Sequence, residues 1–373
     1  MATKKKPSDE TTTETSAPDA PPPMPIKPER VRYEFILEAE TALAHHAESI
    51  GNEAIFMRRK MRAPGGRFVE VPQINADTGR HKMREASAYA LLDASGALTD
   101  PSLSESALRL LFAGGAVSGK GDGGTVKLDT YHRLCDLVPT MRLFGGCAEN
   151  RIVPGFLTVQ DMTLICAESV GFIPAWAIAK AREILGTPDD EGFETMRACI
   201  EEETRVRMDP LLNPRNHLLL NAGARAGVER KLLASETAHV EDDAVGAERS
   251  KSSMMPRKAE VLAPGSLLFW AVEATVYNAL ERDTLDTAVW AFMANAVVGG
   301  KTGTGHGRIR PLAVQEIING QPFGQPRVRF GFGGSTAQDI DPTDARATPG
   351  ALFRAHVEAR AEQVRSFLRE VDA

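Results

Sequence analysis

The sequence is poor in the residues that mark secreted, membrane-borne or metal-built proteins. Its 373 residues include four cysteines (Cys135, Cys147, Cys166, Cys199), spaced too widely for a Cys-x-x-Cys metal pair and too few for a disulfide framework. They are read as reduced core residues. No apolar run reaches the roughly 18 residues of a membrane helix, and the N-terminus opens on Lys4, Lys5 and Lys6 instead of an apolar signal core. The expectation is a cytoplasmic protein with no membrane partner. Hydrolytic signatures are missing too: there is no His-Glu-x-x-His, no His-Asp pair and no Gly-x-Ser-x-Gly elbow. Two near-matches to a phosphate-binding loop fail. Gly121 stands where Gly114–Gly121 needs a hydroxyl residue, Asn295–Thr302 starts on Asn, and both follow helical patterns instead of strands. No catalytic residue, metal ligand or cofactor is expected.

What is present is ample apolar material (42%) and a charge that is unevenly distributed. The whole chain carries −6, yet residues 58–84 hold eight bases against two acids, 205–231 six against two, and 296–330 five against one. These three blocks total +14 and leave −20 for the remainder. Such segregation can focus a polyanion on one face, although charge runs also serve simply as solvated surface.

Residues 1–30, rich in Thr, Pro, Ser and Lys, read as a disordered tail. From Val31 a strand places Tyr33, Phe35 and Leu37 on one side, and a polar loop with His45, His46, Gly51, Asn52 and Glu53 follows. Next come a strand over Ala54–Arg62, a Pro64-Gly65-Gly66 turn and a strand FVEVPQI. A helix over 77–95 has Met83, Ala86, Ala90 and Leu91 on one face. Its early cations Arg80, Lys82 and Arg84 oppose the helix dipole unless an anion lies nearby. Two more helical stretches lead to Gly145-Gly146, and 151–168 reads as one strand. Residues 205–256 lack periodicity and include the acidic cluster 241–243 and Met254-Met255-Pro256, an apolar tip suited to wedging against bases or an entering strand. Two strands around Pro264-Gly265, a helix over 285–298, late strands and a terminal amphipathic helix over 350–371 complete an α+β pattern with a modest antiparallel sheet. Between the helix over 285–298 and the late strands, residues 299–307 contain five glycines interleaved with Lys301, Thr302, Thr304 and His306, with Arg308 and Arg310 following. Exposed backbone N–H groups, hydroxyls and cations there suit a phosphodiester backbone; a plain connection is the alternative.

The order of these segments resembles the backbone subunit of multi-subunit CRISPR effector complexes, the Cas-seven family of the repeat-associated (RAMP) superfamily. The resemblance spans about 31–311 and rests on VPQINADTGRHKMREASAYALLDA, LFGGCAENRIVPGFLTVQDM, MMPRKAEVLAPGSLLFWAVE and GGKTGTGHGR. EVLAPGS and the segment lengths look closest to the type IV variant. The resemblance implies an RRM-like (ferredoxin-like) antiparallel palm over 31–79, 147–204 and 257–345. A helical fingers insert would occupy 80–146, a thumb hairpin 205–256, and a C-terminal helix 346–373. It implies several copies stacked along one CRISPR RNA, presenting it to a complementary target nucleic acid together with other effector subunits, and basic blocks that converge on one groove. The RNA contacts implied are Arg58, Arg59, Lys60, Arg62, Arg80, Lys82, Arg84, Lys301, Thr302, Gly303, Thr304, His306 and Arg308, with Arg249, Lys251, Met254 and Met255 on the thumb. Where type III members carry a cleaving Asp, this chain has Glu48, Asn52 and Glu53, so no intrinsic nuclease is expected. Metal-dependent target-RNA cleavage by Glu53 with His45 or His46, and a protein scaffold without nucleic acid, are the alternatives.

Overall fold

The computed structural model describes residues 27–50, 52–63, 66–99, 103–115, 128–148, 151–187, 192–207, 220–228, 230, 255–324, 327–328 and 349–371. Residues 1–26 of the expected tail (1–30), the acidic cluster 241–243 and the thumb residues Arg249, Lys251 and Met254 lie outside them, while Glu29 and Arg30, expected in the tail, begin the first strand.

The described strands are β1 (Glu29–Ala39), β2 (His46–Ile50), β3 (Glu53–Phe56), β4 (Arg58–Arg62), β5 (Phe68–Ile74), β6 (Gly146–Ala148), β7 (Arg151–Val153), β8 (Leu157–Val159), β9 (Met162–Leu164), β10 (Ile200–Arg207), β11 (Met255–Leu262), β12 (Leu267–Val276), β13 (Ile309–Ile318), β14 (Gln321–Pro322) and β15 (Arg327–Val328). The numbered helices are α1 (Ala76–Ala94), α2 (Glu105–Ala113), α3 (Leu128–Leu137), α4 (Thr140–Phe144), α5 (Ala175–Leu185), α6 (Ala279–Met293), α7 (Ala351–Ala359) and α8 (Ala361–Glu370), and residues 222–228 are helical as well. The fold is α+β.

The main sheet runs β14-β13-β1-β12-β9-β5-β4, with β15 on β13 and β8 on β12, and every pairing is antiparallel. β1 lies inside the sheet, and although its sequence alternates, Tyr33–Leu37 are buried without a break, as in a strand covered on both faces. Tyr33, Phe35 and Leu37 face one core with Trp270 and the inner side of α6, while Ile36 packs with Phe269, Ala313 and α5. Glu34, on the Ile36 face, is buried, and its carboxylate accepts from Trp176 Nε1 at 2.6 Å and Arg32 Nε at 2.7 Å.

α1 spans two cores. Near its start Gly79 lies against Trp270, where a Cβ would come within 3.1 Å of the indole; farther along, Leu91 and Leu92 enter a second core with α2, α3, α4, α7 and α8. Of its expected inner face, Met83 and Leu91 are fully buried and Ala86 and Ala90 partly so. The helical insert is therefore completed by the chain's C-terminal end, which forms two helices broken at Arg360 instead of one.

A smaller sheet, β10-β11-β3-β2, corrects several expectations. The segment read as a loop after β1 contains β2, and the strand read over Ala54–Arg62 is two strands in different sheets. The strands flanking Pro264-Gly265 do not pair with each other: β11 joins the small sheet and β12 the main one. The stretch 151–168 is three short strands, interrupted at Pro154-Gly155 and at Gln160-Asp161. α6 starts six residues before its expected Leu285, because Asn278 caps Glu281 N at 2.8 Å and the Glu281 carboxylate accepts from Tyr277 N at 2.7 Å. It also ends at Met293, and Val297 forms an isolated antiparallel bridge with Arg308 instead of continuing the helix.

Candidate nucleic-acid interface

Two elements present cations where a polyanion could reach them: the β4–β5 hairpin and the glycine-rich loop 299–308. The segment Ala42–His46 links them. Ala44 O accepts from Gly300 N at 2.6 Å, Ala42 O from Gly307 N at 2.9 Å, and His45 O from Met57 N at 2.7 Å. At the same place His45 Nε2 accepts from Asn75 N (3.1 Å), the residue that caps α1. Burial first, then neighbouring His46, pushes the His45 pKa below its ordinary value, with Asp161 opposing; the imidazole is neutral, as an acceptor must be.

The glycine loop is more closed than its composition suggests. Gly299 and Gly307 have φ of 77° and 94°, and a Cβ on either would lie 2.4 Å from Ala44 O and 2.3 Å from Val298 O. Thr302–Thr304 form a 3₁₀ turn. The expected row of open backbone N–H groups is corrected: those of Gly300, Thr304, Gly305, His306 and Gly307 all donate within the protein. His306 is 7% exposed, and its Nε2 lies 2.8 Å from Glu203 Oε1; Lys301 Nζ is 3.9 Å from the other oxygen of that carboxylate. Arg308 and Arg310 pair with Glu40 and Glu38.

Arg58 is held in the same manner. Its Nη2 donates to both oxygens of Glu260 (2.7 and 2.8 Å), and one of those oxygens also takes Phe56 N at 2.9 Å. Arg59 pairs with Asp161 at 2.7 Å, whose other oxygen accepts Ala76 N at the start of α1. Arg80 and Arg84 converge on the carbonyl of Phe144, at 2.7 and 3.0 Å, and Arg80 also reaches Leu157 O. This occupies two cations that the helix dipole left in need of an anion. Burial, then Arg80, brings the Arg84 pKa down to about 10. Lys82 pairs with Glu85.

The register of the small sheet separates these contacts. Glu203 lies opposite Ala259 on the β10–β11 pair, so it shares that residue's face, whereas the adjacent Glu260 points from the other face. The glycine loop thus takes one face of the β10–β11 ribbon and Arg58 the other. The first and third basic blocks meet at the ribbon without lining a single groove. Met255 sits on β11 opposite Arg207; of the second basic block, Arg205 and Arg207 lie on β10, Arg225 and Arg230 donate to the carbonyls of Leu220 and Ala226, and Arg215 and Lys231 lie outside the described residues.

Lys60 and Arg62 differ from all of these. They project from the same face of the edge strand β4 as Arg58, are exposed, and have no ion-pair partner among the described residues; Arg67, next to the turn, is the same. Cations on an edge strand also discourage edge-to-edge pairing. The acids that occupy the other cations were not identified from sequence, since Glu203 and Glu260 are remote from their partners along the chain.

Glu53 and His46 stand at opposite ends of the β2–β3 hairpin: His46 pairs with Phe56, three residues from Glu53, or roughly 10 Å along the strand. His46 Nε2 is engaged by Glu260 O and His45 Nε2 by Asn75 N. Among the described residues no three His, Cys, Asp or Glu side chains group as metal ligands.

No family model and no curated protein matches the chain. Among solved structures it is similar to a chain from one named "Type IV-B CRISPR Complex", at 16% identity and a TM-score of 0.41, covering 81% of this chain and 96% of that one. A likeness of that size does not establish a shared fold. Among the described residues no helix is long and apolar enough to cross a membrane.

Proposed function

We propose that this protein binds CRISPR RNA as the repeated backbone subunit of a type IV-like effector complex, several copies lining one guide and presenting it for pairing with target nucleic acid. The reading starts from the order of sequence segments that resemble the Cas-seven family. The observation that carries it is the set of exposed cations on the β4–β5 hairpin, Lys60, Arg62 and Arg67, which have no acid partner among the described residues and stand beside the segment that joins the hairpin to the glycine loop. Contacts of this kind reach phosphates and carry no base code, so guide binding is sequence-tolerant and weakens with salt, and target choice falls to base pairing. Phosphate contact at Arg58, Arg59 or His306 requires exchange with Glu260, Asp161 or Glu203; contact at Lys60 and Arg62 requires none. The protein acts in this reading as a binder and not as a nuclease.

Co-expression with a CRISPR array, followed by ultraviolet absorbance and RNA extraction, tests it. The expected result is a nucleic-acid-rich spectrum and RNA of defined length. A protein-only spectrum would refute the reading. Regular cuts in labelled complementary RNA that disappear in Glu53→Ala would replace it with the cleaving alternative.

A further inference from the structure

The β4–β5 hairpin carries an aromatic side chain that the reading so far leaves without a role. β4 and β5 pair with Arg62 opposite Phe68, Lys60 opposite Glu70 and Arg58 opposite Pro72, so these six side chains share one face. The other face holds Met61, Val69 and Val71, which pack on the main core. Phe68 therefore points away from the core, and it is 68% exposed, more than any other phenylalanine, tyrosine or tryptophan among the described residues with a large exposed surface. Directly opposite strand positions place Cβ atoms about 5 Å apart, so the Arg62 and Phe68 side chains leave the strands as neighbours on this face. That guanidinium also lies over the turn, 3.6 Å from where a Cβ on Gly66 would stand.

We infer that Phe68 is a base-stacking platform for single-stranded nucleic acid, with Arg62 and Lys60 holding the phosphates on either side. The inference rests on the RNA-binding reading and assigns it a contact beyond the phosphates. Charge selects the occupant. The ring is bordered by Lys60, Arg62 and Arg67, none paired to an acid among the described residues, and Glu70 is the hairpin's single acid. An apolar protein partner would have to desolvate three cations to reach one ring. A single strand neutralises them and supplies a π-face, and stacking tolerates any base.

The test is fluorescence anisotropy of a labelled mixed-sequence single-stranded RNA with the full-length protein over a series of salt concentrations. Phe68→Ala should weaken binding roughly 5- to 100-fold and leave the slope of log affinity against log salt unchanged, because stacking releases no counterions. Phe68→Trp should retain affinity, and its added indole emission should be quenched on binding. Wild-type affinity in Phe68→Ala, or unchanged indole emission in a Phe68→Trp protein that binds, would overturn the stacking role and leave the RNA-binding reading standing. A change of elution volume in Phe68→Ala without RNA would instead identify the ring as a protein contact and overturn the inference. Wild-type protein that binds no RNA would refute the underlying reading.

Discussion

The glycine loop and the β4–β5 hairpin contain similar cations per residue and use them in opposite ways. In the loop His306 and Lys301 meet Glu203, and Arg308 meets Glu40, while backbone N–H groups close on Ala42, Ala44 and the loop itself. The hairpin is divided: Arg58 and Arg59 are tied to Glu260 and Asp161, whereas Lys60 and Arg62 are exposed and have no ion-pair partner among the described residues. A cation already held by a carboxylate adds little to phosphate affinity unless that carboxylate is displaced. Local charge counts measure a capacity, and intramolecular acids decide how much of it a ligand can use.

If the loop is a rigid, closed element, small changes there should cost most. Gly307→Ala combines a left-handed φ with a Cβ 2.3 Å from Val298 O and should destabilise by about 2–3 kcal/mol, read as a lowered unfolding midpoint. Gly66→Ala, at a similar φ but with only the flexible Arg62 side chain nearby, should cost no more than about 1 kcal/mol. Equal losses would erase the distinction between the two regions.

Glu260→Ala comes next. It leaves Arg58 half-buried and Phe56 N without its acceptor, a loss of about 1.5–3 kcal/mol in denaturant unfolding. An unchanged midpoint would show that the Arg58–Glu260 pair does not anchor the ribbon.

A smaller effect is expected with pH at His45. Its folded pKa lies below the unfolded value of 6.5, so the native state binds fewer protons in that window. The stability it contributes is complete above pH 6.5 and is lost as pH falls toward the folded value. The difference in melting temperature between wild type and His45→Gln should therefore narrow on acidification from pH 7 toward 5; a constant difference would contradict the acceptor role of Nε2.

The smallest stability effect belongs to Lys60→Gln and Arg62→Gln, each within about 0.5 kcal/mol of wild type. A larger loss would mean that these cations support the fold after all.

Much of the architecture was legible from periodicity and punctuation. β1, β5, α1 and the turn at Gly145 follow from apolar alternation, the 3.6-residue period and glycine. The division of 54–62 between two sheets was not, because no pattern within EAIFMRRKMR marks where pairing partners change. Nor was the pairing of Arg58 with Glu260 or His306 with Glu203, since contacts between residues 202 and 103 positions apart depend on the folded ribbon. The Phe68 position was within reach: the Pro64-Gly65-Gly66 signal in the sequence separates two short strands, and pairing them sets Arg62 opposite Phe68.

Usable positive charge resides in the hairpin cations that have no acid partner among the described residues. The salt dependence of RNA binding measures this directly, comparing wild type with Lys60→Gln/Arg62→Gln and with Arg58→Gln. The account predicts that the double variant lowers the slope of log affinity against log salt by about 1.4, at roughly 0.7 per lost phosphate contact, and that Arg58→Gln leaves it unchanged. A slope untouched in the double variant and reduced in Arg58→Gln would contradict it.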